Sequence, residues 1–392
     1  MGDKSAFVGG MKLKISELGK VITGNTPSKK IKEFWDKDDV GFVKPDIISD
    51  EHIVKIKNED CNEFISNAAI SKARIVPKNS IFVTCIGNIG KIGVATENLA
   101  FNQQINAIIP NENVNLDYLC YAIFANKTRL QDIANAPIVP LLNKSQFSEF
   151  ELEFDMDINT QTRIVNELNA VSNIILKYKQ ELLLQDELVR ARFVEMFGNP
   201  VVNDKKWEIR YFSDLGELKR GKSKHRPRND PILLGGKYPL IQTGDVTNSN
   251  TYIKSYTSTY SEEGLKQSKM WKKGTLCITI AANIAESAIL TFDACFPDSV
   301  VGFTPNGEVI SLFIHYWLSF LQPILEENAP AVAQKNLNVA TLEKVGVIVP
   351  PLELQNQFAS FVQEIDKSRS RIQKSLEASQ ELFDSLMQEY FG

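Results

Sequence analysis

Two stretches of the chain carry apolar residues at alternating spacings of four and three, the pattern of a long amphipathic helix. The first stretch has Ile164, Leu168, Val171, Ile175, Tyr178, Leu182, Val189 and Met196 at these positions. The second has Phe358, Val362, Ile365, Ile372, Leu376, Phe383, Leu386 and Tyr390. Each stretch predicts a helix about 50 Å long. Because one such helix cannot bury its own apolar stripe, we expect the two to pack on each other.

The two stretches belong to an internal repeat that covers most of the chain. Gly198 closes "FVEMFG" and Gly392 closes "LMQEYFG", and "QTRIVNEL" from Gln161 aligns with "QNQFASFV" from Gln355. The preceding segments also correspond. They are "ISELGKVITGNT" with "FSDLGELKRGKS", "GFVKPDI" with "LIQTGDV", "FVTCIGNIGKIGVAT" with "LCITIAANIAESAILT", and "AFNQQINAIIP" with "CFPDSVVGFTP". The chain therefore contains one structural unit twice.

Within each copy, short β-branched runs alternate with Gly, Asn, Pro and Ser turns, which favours strands. A short helical piece, "LDYLCYAIFAN" or "ISLFIHYWLSF", precedes the last strand. The fold class we predict is α+β, with two similar globular domains related by pseudo-two-fold symmetry and separated by an antiparallel coiled coil. The expected boundaries are an arm or tag at 1–10, a domain at 11–158, a helix at 159–198, a domain at 199–351 and a helix at 352–392.

One motif in the second copy matches the phosphate-loop pattern G-x-x-x-x-G-K-[ST]. It is "GELKRGKS", residues 216–223. That loop requires a buried strand before the first glycine and a helix that begins at the lysine. Pro227 and Pro231 exclude the long helix, and the first copy has Asn25 in place of Lys222. We therefore reject a nucleotide-hydrolase function and interpret the shared element as a G-x-x-x-x-G turn.

Composition and charge bear on whether the chain is a membrane, metal-binding or nucleic-acid-binding protein. The 392 residues are 43% hydrophobic, with no apolar run long enough for a transmembrane helix. Five scattered cysteines without a C-x-x-C pair suggest buried thiols in a reducing cytoplasm. The three histidines are widely separated and lack metal-ligand spacing, so the sequence predicts no metal site. The net charge of −4 indicates no global affinity for nucleic acid. The basic run "LKRGKSKHRPR" is compatible with a solvated loop or with a phosphate-binding patch.

The chain resembles the specificity (S) subunits of type I restriction-modification systems. The resemblance is carried by "ISELGKVITG", "WEIRYFSDLGELKRG", "CIGNIGKIGVA", "FNQQINAIIP" and "VIVPPLELQNQF", and by the order globule, helix, globule, helix over residues 11–392. It departs from the family where "FELEFDMDINTQTRI" lacks the proline pair seen at Pro350 and Pro351. It departs again where Asn102 and Gln103 become Pro297 and Asp298.

The resemblance implies a DNA-recognition subunit that is not itself an enzyme. Each domain would read one half of an asymmetric bipartite site in double-stranded DNA. The helices would set the spacer and dock two methyltransferase (M) subunits, which motor-nuclease (R) subunits then join. S-adenosylmethionine, ATP and Mg are implied on those partners, with no cofactor in this chain. The implied location is the cytoplasm.

Residues that could contact DNA are basic, amide or hydroxyl side chains on turns. For phosphate contacts we predict Lys29, Lys30, Lys32, Lys222, Lys224, Arg226 and Arg228. For base edges we predict Thr26, Ser28, Lys44, Asn88, Lys91, Asn102, Gln103, Gln104, His225, Gln242, Thr243, Asn283 and Glu286. Each could instead have an ordinary turn or capping role, and Trp35 and Trp271 are expected to be packing residues.

Two other hypotheses remain. A scaffold with duplicated lectin-like or peptide-binding domains not directed at DNA would also explain the repeat and the acidic composition. It would not explain basic and amide-rich turns at matching positions of both copies. An enzyme acting alone is disfavoured because no catalytic constellation is visible, and "GNIGKIG" does not fit the dinucleotide fingerprint G-x-G-x-x-G.

Overall fold

The computed structural model describes residues 10–134, 140–225, 227–281, 284–327 and 337–392. The chain divides into two compact units. The first comprises Met1–Lys179 and Lys374–Gly392, and the second comprises Gln180–Gln373. Each unit therefore combines one globule with a stretch of each long helix.

The globule of the first unit is built from short strands and helices. The strands are β1 (Met11–Lys14), β2 (Gly19–Thr23), β3 (Val40–Val43), β4 (Val54–Ile56), β5 (Phe64–Ile65), β6 (Ile75–Val76), β7 (Ile81–Thr84), β8 (Ile92–Ala95), β9 (Leu99–Phe101), β10 (Ile105–Pro110) and β11 (Glu151–Phe154). The helices are α1 (Ile15–Leu18), α2 (Leu116–Ala125), α3 (Lys127–Ile133), α4 (Lys144–Ser148) and the long α5 (Ile158–Phe197). Single 3-10 turns lie at Lys32–Phe34, Pro45–Ile47 and Asn58–Asp60, and a longer 3-10 segment at Asn67–Lys72.

The second unit is built in the same way. Its strands are β12 (Ile209–Tyr211), β13 (Gly216–Arg220), β14 (Leu234–Leu240), β15 (Tyr252–Ile253), β16 (Ser258–Tyr260), β17 (Met270–Trp271), β18 (Leu276–Thr279), β19 (Ser287–Leu290), β20 (Ala294–Cys295), β21 (Val300–Pro305) and β22 (Gly346–Ile348). Its helices are α6 (Thr243–Thr247), α7 (Glu262–Lys266), α8 (Ser311–Glu327), α9 (Val339–Glu343) and the long α10 (Leu352–Phe391), with 3-10 turns at Phe212–Leu215 and Pro231–Leu233.

The two globules share one sheet topology. The first has a five-stranded sheet of order β2-β10-β7-β8-β4, a four-stranded sheet β5-β3-β9-β6 and a pair β1-β11. The second repeats this as β13-β21-β18-β19-β15, β16-β14-β20-β17 and β12-β22. The predicted α+β repeat is confirmed. In both globules the helical piece, α2 or α8, precedes the last strand as expected.

The G-x-x-x-x-G element is a strand, so its interpretation as a turn was wrong. Gly19 begins β2 and Gly24 follows it, and β2 pairs antiparallel with β10. A Cβ at Gly24 would lie 2.0 Å from the carbonyl oxygen of Asn102, and one at Gly221 would lie 2.2 Å from that of Phe296. Both copies need glycine here because two backbone segments touch. No helix begins at Lys222, which agrees with rejection of the phosphate loop.

The long helices run from Ile158 to Phe197 and from Leu352 to Phe391, 40 residues each, or about 60 Å. The prediction of about 50 Å was short because each helix begins before its first seam residue. All the predicted seam positions are buried or half-buried. Within the first unit the two helices pair with opposite directions: Tyr390 donates to Glu167 at 2.6 Å and its ring lies under Arg163.

In the second unit the same helices pair through other residues. Gln185, which interrupts the apolar seam, is buried and donates to Ser368 Oγ at 3.1 Å. Arg369, one of the two residues that interrupt the seam of the partner helix, forms an ion pair with Asp186. The other two interruptions, Arg192 and Ser379, bond within their own helices. Gln185 and Arg369 are therefore the interruptions whose polar contacts join the two helices and fix their register.

Each globule is anchored to its helices by an apolar core. In the first unit α2 packs against Leu168 of α5 and Met387 of α10. In the second unit Phe193 of α5 lies 5.4 Å from Phe358 of α10, ring centre to ring centre, and both belong to the core that contains α8. The five cysteines are buried free thiols, as predicted. None of the described helices is both long enough and apolar enough to cross a bilayer.

Candidate nucleic-acid interface

Most of the predicted contact residues that the structure describes lie at one edge of each globule, where strands of both sheets end or begin. In the first globule this loop edge comprises residues 24–30, 44, 74, 85–91 and 102–104. Backbone hydrogen bonds hold it together: Asn25 N–H donates to Phe101, Cys85 N–H to Gln104, and Asn102 N–H to Val43. Segments far apart in sequence therefore meet on one surface.

The second globule has the same loop edge, comprising residues 221–225, 227–228, 241–243, 269, 280–281, 284–286 and 296–299. Gly221 N–H donates to Val300, Ile280 N–H to Ser299, and Ile241 N–H to Cys295. The strand register equates Lys44 with Gln242, because Phe42 faces Ala100 and Leu240 faces Cys295. Lys44 and Gln242 also occupy the same place, each capping a short helical turn.

The turn at 102–104 presents one predicted residue and uses two others as support. Asn102 is only 6% exposed, and its amide donates to Gln104 Oε1 at 2.9 Å. Gln103 is exposed and accepts a 2.6 Å hydrogen bond from Thr26. Asn102 therefore shapes the turn, while Gln103 and Thr26 form a pair at its surface that could meet a base edge.

Two of the predicted lysines share one carboxylate. Lys29 and Lys44 place their ammonium nitrogens 3.0 and 2.7 Å from Glu63. The hydrogen bond from Lys44 lowers the pKa of Glu63 and raises the pKa of Lys44 itself, so that both are charged at neutral pH. Lys29 also lies over the ring of Trp35. Glu63 thus holds two cations at fixed positions on the loop edge.

The remaining predicted lysines and the serine of this segment are solvent-facing. Ser28, Lys30 and Lys32 are exposed, and the Ser28 carbonyl accepts from Trp35 Nε1 at 3.4 Å. Trp35 packs edge-on against Phe42, in line with its predicted packing role.

The β7–β8 hairpin carries Asn88 and Lys91. Lys91 N–H donates to Thr84 Oγ1 at 3.0 Å, which in turn donates to the Asn88 carbonyl. Both side chains lie near Asp50, whose pKa is lowered mainly by its hydrogen bond to Lys127 and then by Asn88. Two backbone bonds of this hairpin, from Thr84 N–H to the Lys91 carbonyl and from Gly90 N–H to the Thr84 carbonyl, recur in the second globule. There Thr279 N–H donates to Glu286 and Ala285 N–H to Thr279, so that Glu286 occupies the place of Lys91. At this position the first globule therefore has a basic side chain and the second has an acidic one.

The basic loop of the second globule is held by polar contacts. Gln267 Oε1 accepts from the backbone N–H groups of Lys224 and His225 at 2.6 and 3.1 Å. The His225 ring lies 2.8 Å from Asp230, and Arg228 forms an ion pair with Asp298. Lys222 and Lys224 are exposed. Asp298 thus occupies the place that Gln103 has in the first copy, but its partner there is Arg228 and not the residue equivalent to Thr26.

The other predictions in the second globule are placed as follows. Gln242 is exposed and its backbone N–H is capped by Asp245 at 2.8 Å, while Thr243 begins α6. Glu286 is half-buried. Arg226 and Asn283 lie outside the described residues. Trp271 is buried against Phe296, as predicted for a packing residue.

Four side chains that the sequence did not single out lie in or directly beside the loop edges. Glu63 and Gln267 hold basic residues, and Arg74 and Lys269 add positive charge. All four lie at the starts of strands β5 and β6 or just before β17. Their alignment requires the sheet register, because these short strands differ in sequence between the copies.

The side chains of the two loop edges are suited to binding a polar, charged ligand. Among the residues that the structure describes, no group of three or more His, Cys, Asp or Glu side chains is placed to hold a metal ion. The surface presents ammonium, guanidinium, amide and hydroxyl groups on turns, together with several carboxylates, and these groups suit contacts to phosphates and base edges.

The comparisons identify related proteins. The family model described as type I restriction modification DNA specificity domain matches residues 9–185 and again residues 204–380. The chain is 26% identical to the type I restriction enzyme MjaIX specificity subunit of Methanocaldococcus jannaschii, over 95% of this chain and 90% of that protein. It is 34% identical to the HindI specificity subunit of Haemophilus influenzae, over 35% of this chain and 30% of that protein.

A similar fold is known from a crystal structure, that of the type I restriction-modification S subunit from M. genitalium. The TM-score is 0.60 at 15% identity, with 100% of this chain and 98% of that chain covered. The two family matches coincide with the two repeats found in the sequence. These comparisons do not favour the hypothesis of a scaffold unrelated to DNA.

Proposed function

This chain belongs to the type I restriction-modification DNA specificity family, and from that premise we propose that it gives such a complex its target sequence. Each globule reads one half of a bipartite site in double-stranded DNA. Because the loop edges differ in side chains, the two half-sites differ in sequence.

The observation that carries this proposal is the repeated loop edge. A common sheet order delivers the same segments to one edge in both globules, while the side chains there diverge, as with Lys91 and Glu286. Two domains that recognise different half-sites need the same backbone fold with different side chains on the turns. This is because specificity depends on which hydrogen-bond donors and acceptors meet each base. A purely structural repeat would give no reason for the polar differences to collect at this edge.

In this proposal the long helices set the spacing of the half-sites and dock two M subunits, which R subunits then join. Methyl transfer with S-adenosylmethionine, and ATP- and Mg-dependent translocation and cleavage, belong to those partners. The chain itself binds and positions DNA without a chemical step.

The test is to express the chain with a methyltransferase subunit from its own host and to map methylated adenines in the genome of the expressing cells. We expect an asymmetric motif in two parts with an unspecified spacer. Gln103→Ala should relax one half of this motif only, with a loss of about 1–3 kcal/mol of discrimination at one position.

Lys78→Ala serves as the control, because Lys78 lies at the turn before β7, at the opposite end of the sheet from the loop edge. It should leave the motif unchanged. A continuous motif, or the same methylation in cells that lack the chain, would contradict the proposed function.

A further inference from the structure

A basic residue occupies the same structural position in both globules, immediately before the strand that pairs with β9 or β20. Ile75 faces Ala100 in the first globule, and Met270 faces Cys295 in the second. The residues before them, Arg74 and Lys269, are therefore equivalent. The β6–β9 and β17–β20 pairings place both at the loop edge.

Arg74 is tied to the segment that follows β2. Its backbone N–H donates to Asn25 Oδ1 at 2.7 Å, and its guanidinium donates to the Thr23 carbonyl at 2.5 Å. Asn25 also donates to the Lys72 carbonyl at 2.7 Å. The side chain is exposed. A guanidinium has five N–H donors, so the bond to Thr23 leaves others for a ligand.

Lys269 is held in place by an aromatic ring, whereas Arg74 is held by hydrogen bonds. Its ammonium lies 3.9 Å from the centre of the Trp271 ring, and that ring stacks on Phe296 at 4.7 Å. Phe296 begins the 296–299 turn of the loop edge. Gln267, two residues earlier, accepts from the backbone of the basic loop. The cation therefore sits beside the same loop that Arg74 adjoins in the first copy.

Neither cation is held by an ion pair. Within the described ranges, Arg74 and Lys269 lack a salt-bridge partner, whereas Lys29, Lys44 and Arg228 each have one. Glu217 lies in the vicinity of Lys269, but its pKa is lowered mainly by its hydrogen bond to Lys219 and least by the charge of Lys269. A positioned cation without a salt-bridge partner, at equivalent sites, suits a ligand feature that is the same at both half-sites. The phosphate backbone is such a feature, while the bases are not.

We propose that Arg74 and Lys269 are paired phosphate-contact residues that set how each globule sits on the DNA backbone. The proposal rests on the proposed function and assigns phosphate contact and base selection to different residues. Arg74 and Lys269 position the domains independently of sequence. Exposed residues of the variable turns, such as Gln103, select the bases.

The experiment measures equilibrium binding of the complex of this chain with its methyltransferase to a duplex carrying the mapped motif and to a scrambled duplex, over a tenfold range of salt. Arg74→Ala and Lys269→Ala should each weaken both duplexes by about 5- to 10-fold at low salt and reduce the salt slope by about one. The specificity ratio between the duplexes should stay constant.

Two matched controls lie at the far end of the sheets. Lys78 and Lys273 occupy equivalent turns, before β7 and before β18. Lys78→Ala and Lys273→Ala remove the same charge and should leave affinity and slope unchanged. If they have the same effect as the Arg74 and Lys269 variants, only net charge matters and the proposal fails.

Arg74→Lys separates charge from local structure. It keeps a cation while changing the group that bonds the Thr23 carbonyl. A slope near that of the wild type is expected, and a loss as large as in Arg74→Ala would overturn the phosphate role. Loss on the motif duplex alone would also overturn it and would assign base readout. If the unaltered complex shows no preference between the duplexes, the proposed function itself fails.

Discussion

At the residue scale, one glutamine does the same work in both halves of the molecule. Gln161 and Gln355 lie in the first turn of each long helix and are fully buried. Gln161 accepts from Asn115 N–H at 2.8 Å and donates to the Asp155 carbonyl at 2.7 Å. Gln355 accepts from Ile310 N–H and donates to the Pro350 carbonyl. Each side chain joins a long helix to the last strand and the helical piece of its globule.

Replacing either glutamine should destabilise its own unit. Gln161→Ala leaves a backbone donor and a backbone acceptor without partners, which costs about 1–3 kcal/mol of unfolding free energy. Urea unfolding followed by circular dichroism measures the change. Gln180→Ala, on an exposed site of the same helix, should stay within about 0.5 kcal/mol of the wild type. Equal effects of the two variants would show that the buried bonds add nothing.

Single residues show which features the sequence could predict and which it could not. The repeat aligned Gln161 with Gln355, but nothing in the pattern showed that both would be buried. Asn102 was predicted to face DNA, yet its amide supports the turn, because the adjoining β-strands bury it. Glu63 was missed because its relation to Lys29 and Lys44 depends on strand pairing between segments distant in sequence.

At the scale of elements, the long helices were predictable and the short strands were not. An apolar period that repeats over 40 residues is a strong signal that packing does not override. Strands of two to five residues carry little pattern of their own. Gly19 and Gly24 were taken for a turn because their need for close backbone contact appears only when β10 and the Phe101–Asn102 backbone lie beside them.

Helix α8 carries a buried histidine that makes the second unit sensitive to acid. His315 accepts or donates a 3.0 Å hydrogen bond with Ser287, and burial lowers its pKa from 6.5 to about 4. Between these two values the unfolded chain binds a proton that the folded chain does not. Stability is therefore lost as the pH falls through this window.

We expect the second unit to lose about 1 kcal/mol of unfolding free energy between pH 6.5 and pH 5.5 from this group. Tryptophan fluorescence follows it, because Trp207, Trp271 and Trp317 all lie in that unit. His315→Gln should flatten the dependence over this interval, while His52 and His225 remain in both proteins and cancel. An identical slope in wild type and variant would contradict the assignment.

At the scale of the whole molecule, the exposed face of α5 is available for a partner. In the second unit Leu183, Leu184 and Leu188 are 66%, 53% and 49% exposed. Residues four apart lie one above the other on a helix, so Leu184 and Leu188 form an apolar strip. Such a strip is typical of a surface that another protein covers. In the proposed function that protein is a methyltransferase subunit.

Substitution of both leucines by glutamate should abolish co-purification of the methyltransferase, since two charges would be buried at the contact. The chain should still fold, because both sites face solvent. Leu184→Met with Leu188→Met keeps the apolar surface and should retain the partner. Pull-down with quantification of the methyltransferase distinguishes these outcomes. Undiminished capture by the glutamate variant would place the docking surface elsewhere.

The composition of the first unit has a consequence for biosynthesis. Its core includes Met387, with Phe383 and Phe391 packed around it, whereas the rest of that core precedes residue 180. The ribosome makes the entire second unit in between, a delay of roughly 10–40 s at ordinary elongation rates. Nascent chains must therefore carry an incomplete core until late in translation. A product cut short within the last helix keeps both loop edges but leaves an apolar gap in the core of the first unit, and we expect it to be degraded faster than the full chain.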